Sequence, residues 1–291
     1  MFTMITSFML STAFAQDGNN IFAFDATSDL PTSGDIGVGF NATPILDFGL
    51  NMINIMNNTG QTAAGLSDWP TGASQTLSVK YFLSDTTAAR VKVGINRGSS
   101  TVNTLYTDPV EAADPSNNSP SEISDTINSS ETLFLLSGGY EMRRGYNRIQ
   151  GFYGGEALLG MASSSSSTSY GWRYDTDAFD NGVIGDGSSR VLQEKSGMGL
   201  SVGLRGFVGV EYFIAPKISL GSEYGWAMSV GKQGSGSSTV ETWSVDSNGD
   251  GSRDTESNKT GSSSSARVGH DNGIDQFYTG GTGAVTLNIY F

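Results

Sequence analysis

Apolar residues recur at every second position along most of this chain, and the connections between the alternating stretches are long and short in turn. A two-residue period is the signature of strands with one apolar face; a helix would repeat near 3.6. Ile36, Val38 and Phe40 form the first set, and Leu77, Val79, Tyr81 and Leu83 the second. Ala89 to Ile95, Phe134 to Met142, Ile149 to Leu159, Leu200 to Ile214 and Ile218 to Val230 follow, and Val285, Leu287, Ile289 and Phe291 close the chain. That makes eight strands. Strands two and three are joined by about five residues (84–88), four and five by about six (143–148), and six and seven by Ala215-Pro216. The other four links, 42–72, 97–131, 162–197 and 231–281, run from about 30 to about 50 residues.

Strict alternation of short and long links is unexplained in a secreted β-sandwich, the competing architecture. It is what an eight-stranded antiparallel transmembrane β-barrel requires, with short periplasmic turns and long extracellular loops. The polar face agrees. It carries Gly and Ser together with Lys80, Arg90, Lys92 and Arg205 against Glu141, Glu156, Glu211 and Glu223. Charges shut away from water must be paired, and eight strands leave an interior only wide enough for side chains. Ion pairs filling a narrow lumen are therefore expected. Tyr81, Tyr140, Tyr212, Tyr224, Trp226 and Phe291 fall on the opposite face, as interface anchors would. Gly151, Gly155 and Gly206 share that face, either for close contact with a second barrel or to relieve curvature.

Composition narrows the function classes. Sixteen basic against 29 acidic residues give a net charge of −13, which excludes nucleic acid as a partner. The four long links hold 20 acidic and 8 basic residues, so the excess sits on the loops. Arg143, Arg144 and Arg148 make one short turn basic, and Lys217 sits beside another. Without Cys there is no thiol chemistry, thiolate metal site or Cys lipidation.

Residues 1–15 form an apolar stretch ending in Ala13-Phe14-Ala15, a small-x-small pattern that reads as a secretory signal peptide lacking its basic start. Residues 16–33 then form a periplasmic N-terminal segment, and 34–291 the barrel. The last strand, Ala284–Phe291 (AVTLNIYF), resembles the signal by which the barrel-assembly machinery takes up bacterial outer-membrane proteins. The chain as a whole resembles the small eight-stranded outer-membrane barrels, in the company of the OmpA transmembrane domain, OmpW and the opacity proteins. Gly34–Asn54 is similar to the opening of many Bacteroidetes barrels. The resemblance implies residence in the outer membrane among lipid and lipopolysaccharide, with Phe291 read by the assembly machinery.

Three local features remain. Asp246, Asn248, Asp250, Ser252 and Asp254 reproduce the D-x-N-x-D-G opening of a calcium loop, with Gly251 sixth. The twelfth position holds Ser257 where Glu is wanted, and the same residue types build solvated turns. After Pro44, Ile45, Phe48, Met52 and Ile55 have helical spacing; the competing reading continues strand one through 42–56. His270 is the lone His, placed in a Gly-rich loop with no nucleophile fixed beside it. The Ser runs 163–167 and 262–265 read as flexible loop. The expected role is structural or interactive, with acidic loops presented to a partner such as a larger outer-membrane complex. A small-solute or hydrophobic-molecule channel is the alternative, and a lipid-modifying enzyme comes last.

Overall fold

In the computed structural model, residues 29–42, 76–271 and 285–291 are described. The predicted signal peptide 1–15, most of the predicted N-terminal segment 16–33 and the stretch 43–56 lie outside them.

The fold is all-β and antiparallel. Eight strands close a ring: β1 (Ile36–Asn41), β2 (Thr76–Ser84), β3 (Thr87–Thr107), β4 (Glu122–Tyr146), β5 (Ile149–Ser169), β7 (Gly199–Ala215), β8 (Ile218–Gln233) and β12 (Thr286–Tyr290). Each pairs with the next, and β12 returns to β1 with Val38 opposite Ile289. These are the eight alternating segments of the sequence. The period-two pattern survives as burial: along β7, Arg205, Phe207, Glu211 and Phe213 are buried, while Leu204, Val208, Val210 and Tyr212 are exposed.

Two of the three short links are tighter than expected. Ser84 pairs with Thr87, Tyr146 with Ile149 and Ala215 with Ile218, so each turn has two central residues. Asn147 and Lys217 take positive φ (51° and 56°), a conformation common in tight turns that Asn tolerates best.

Within the described residues, the links after β3, β5 and β8 are not the loops the sequence predicts. β3 and β4 stay in register from Thr87–Met142 to Thr107–Glu122, 21 paired positions, or about 70 Å of strand. β6 (Ser189–Lys195) pairs with β5 and with β9 (Ser237–Val245), and β9 pairs with β10 (Gly251–Lys259). β11 (Ser263–Asp271) then runs beside β8 from Gln233 down to Gly225. The described part of the last link is therefore a hairpin extension whose tip is the Asp246–Asp250 turn. Both Ser runs enter the ladders, Ser164 opposite Glu131 and Ser265 opposite Gly231. Ser favours strands weakly. Here pairing partners on either side override that preference.

Two one-turn helices fill the distal end: α1 (Pro109–Ala113), whose first amides donate to Asp108, and α2 (Thr176–Asp180), capped by Asp175. A small core forms there from Tyr174, Ala178, Ile184 and Trp243. Arg190 lies over the rings of Tyr170, Trp172 and Tyr174 at 4.2–4.9 Å and pairs with Glu241 at 2.6 Å.

Candidate functional site

The interior of the ring is built in layers. At the short-turn end Phe82, Phe213 and Ala88 are fully buried with Tyr290, whose ring meets Phe82 edge-on at 5.6 Å and stacks on Phe213 at 5.8 Å. Leu30 packs beneath them, and the Lys217 amide donates to the Asp29 carbonyl. Lys217 Nζ also meets Asp35 at 2.5 Å. Burial works against the charge on Asp35, but Lys217 and the amide and hydroxyl of Thr32 outweigh it and hold the carboxyl below its ordinary range.

Above this base lies the charge layer. Each of the eight interior charges read from the sequence is there, and all are ion-paired. Lys80 on β2 bridges Glu141 at 3.0 Å and Glu211 on β7 at 2.7 Å. Arg90 on β3 reaches Glu223 on β8 at 2.7 Å and touches Glu141 and Glu156, each at 3.3 Å. Lys92 meets Glu223 at 2.9 Å, and Arg205 meets both Glu156 and Glu223, at 2.7 and 2.6 Å. In an eight-strand ring β2 and β7, like β3 and β8, stand four strands apart in either direction. These pairs therefore cross the full width of the lumen.

A fifth cation escaped the sequence reading. Arg143, which the sequence places in a basic turn, lies within β4 three residues before its end, with its guanidinium buried between Glu141 and Glu211. It shares the parity of Glu141, which is the signal that finds it. Inward aromatics, which the sequence pattern does not single out, support the layer. The cationic groups of Lys80 and Arg90 sit over Phe152 and Phe207 at 4.7 and 3.9 Å, which stabilises partly desolvated cations. Two interior glycines make the room. A Cβ at Gly225 would collide with the Arg205 guanidinium, and one at Gly209 with the Phe152 ring. Leu135, Leu158 and Ala227 bury above the charges.

Higher still the ring opens into a cavity of about 920 Å³ between β3, β4, β5 and β6. Its wall holds Ser100, Ser129, Ser164, Ser166, Ser196 and Ser238 among eleven Ser and Thr residues. Asn96, Glu131, Ser164 and Ser196 also line a smaller space of about 220 Å³ that reaches Leu133 and Ala162.

The outer wall is apolar. Tyr81, Tyr140, Tyr212, Tyr224, Trp226 and Phe291 all point outward, between 42 and 71 % exposed, in accord with their parity. A Cβ at outward Gly155 or Gly206 would meet only ordinary contacts, at 3.6 and 3.9 Å.

The remaining sequence candidates fall elsewhere. Asp246, Asn248 and Asp250 come together in the β9–β10 turn, where the Asp246 carboxylate accepts the amides of Asn248 and Asp250 at 2.9 and 2.8 Å. Ser252 and Asp254 leave along β10, opposite Ser244 and Thr242. Ser252 shares a hydrogen bond with Ser244, and Asp254 accepts from the Thr255 amide. Among the described residues no group of three or more carboxylates or imidazoles is arranged to hold a metal. His270 is not in a loop: it lies on β11 opposite Trp226, exposed, its ring stacked on Tyr224 at 5.7 Å.

The chain matches no protein-family model and no curated protein.

Proposed function

We propose that this ring is a transmembrane β-barrel of a bacterial outer membrane, closed to conduction, whose long hairpins present an acidic extracellular structure to a partner. The observation that carries the reading is the charge layer. Lys80–Glu211 and Arg90–Glu223 tie opposite walls together across the lumen, above a floor of Phe82, Phe213 and Tyr290. A solute path would have to break several buried pairs at once, each break leaving an uncompensated charge. The apolar wall with outward Tyr and Trp supports insertion in lipid, and exposed Phe291 ends the strand that the assembly machinery would read. Two-residue turns at one end and a β3–β4 ladder that continues for 12 pairs beyond Ile95–Phe134 at the other give the two faces different tasks. An interaction role follows, including that of accessory subunit in a larger outer-membrane complex.

Two measurements on the purified protein test this. Unheated samples should migrate faster than boiled ones on a denaturing gel, and planar bilayers carrying the protein should stay silent at all voltages. Steady single-channel steps would instead establish a pore. Recovery in the soluble fraction would remove the membrane reading altogether.

A further inference from the structure

The serine-lined cavity has no task in the closed-barrel reading, and its chemistry is selective. Five consecutive serines, Ser163 to Ser167, stand in a strand where Thr or Val would pair better, so strand stability does not account for them. On the inward face their hydroxyls form rows with neighbouring strands: Ser129 with Ser166 at 3.3 Å and Ser164 with Ser196 at 3.1 Å. A hydroxyl so paired still has capacity for a further donor or acceptor. The charged lining residues are two of each sign, Glu131 and Glu194 with Arg97 and Lys195, so the cavity favours neither anion nor cation. Among the described residues Ile95 is the one large apolar side chain lining it, too little to hold an acyl chain, and none of those lining residues is an aromatic platform for a flat heterocycle. What suits a neutral wall of closely spaced, two-way hydrogen-bonding groups is a ligand of the same kind. The volume of about 920 Å³ lies in the range of small-molecule sites.

We infer that this cup binds a neutral oligosaccharide, its hydroxyls meeting the Ser rows of β4 and β5 and its C–H faces the Leu133 and Ala162 step below. The inference concerns the polar cup alone, and it stands or falls in detergent whether or not the ring conducts or inserts in lipid.

The test is calorimetric titration of the full chain in lauryldimethylamine oxide, a detergent without sugar, against maltotriose, cellotriose and chitotriose. Spermidine and gluconate serve as charged comparators. At least one trisaccharide should give saturable heat, with neither charged compound competing. Replacing Ser129, Ser164 and Ser166 together by Ala should weaken binding at least about tenfold, since three hydrogen-bonding groups are lost. Ser244→Ala, Ser252→Ala and Ser257→Ala on the distal hairpin should leave it unchanged. If the cup triple does not fold, Ser164→Ala alone, shared by both cavities, should still weaken binding by a few-fold. Absence of heat from all three sugars overturns the inference. So does unchanged affinity in the cup variants, or saturable binding of spermidine or gluconate at the same place.

Discussion

Glu211 holds more of the interior together than any other carboxylate of the charge layer. It receives Lys80 at 2.7 Å, the Arg143 guanidinium and the Tyr290 hydroxyl at 2.6 Å, with Ser219 and Asn288 at 3.3 and 3.4 Å. Glu211→Gln leaves two buried cations short of charge, so it should destabilise the protein by about 3–5 kcal/mol, read from the urea midpoint. A loss under about 1 kcal/mol would show that the network is not a structural element. Arg253 makes the contrast. It pairs with Glu241 at 3.3 Å but is 46 % exposed, and Arg253→Ala should change stability by less than about 1 kcal/mol. The base of the ring should respond to acid through Asp35. Its folded-state pKa is depressed, so the stability it contributes is present above the unfolded value of about 3.9 and lost as pH falls toward the lower folded value. Urea midpoints measured from pH 6 to pH 3 should fall below about pH 4. Asp35→Asn should flatten that part of the curve; an unaltered curve would assign the acid sensitivity elsewhere.

At the scale of elements, the β3–β4 hairpin separates what the sequence shows from what it hides. About 9–11 residues per strand suffice to cross a bilayer, yet this ladder has 21 pairs. Beyond Ile95 and Phe134 its sequence turns to Ser, Thr and Asn, and the apolar alternation that marks a strand stops. Strands with two solvated faces have no such pattern, so the extension reads as loop although its backbone is fully paired. The same loss of contrast hid the cup: a Ser run in a flexible loop and one in a paired strand look alike until the partners are known. The eight ring strands were legible because one face of each is apolar, and the interior charges because they share one parity. Arg143 was missed because Arg143-Arg144-Gly145 resembles a turn. Two outcomes follow for the distal hairpin. Amides of residues 98–107 should exchange with deuterium far more slowly than a free loop; exchange at the unprotected rate would contradict the ladder. Near its end Tyr106 donates to Asp125, and burial together with that bond pushes its phenol up to about 12. Its contribution to stability is full below the unfolded value of about 10 and disappears as pH rises from there to about 12. Absorbance at 295 nm should accordingly lose one late-titrating tyrosine in Tyr106→Phe.

For the whole molecule, the arrangement is inverted relative to a protein folded in water: charges and hydroxyls inside, Leu, Val, Tyr and Trp outside. The net charge of −13 sits chiefly on the distal structure, so one face repels anions while the wall presents almost no charge. Such a wall is stable only if something apolar covers it. The two well-placed tryptophans report on this directly. Trp226 lies on the outer wall, 59 % exposed, and Trp243 is 3 % exposed in the distal core. In liposomes of chain-brominated phospholipid, a variant retaining only Trp226 should lose most of its fluorescence, and one retaining only Trp243 should keep it. Equal brightness of the two, with Trp226 quenched instead by aqueous iodide, would contradict a lipid-embedded ring.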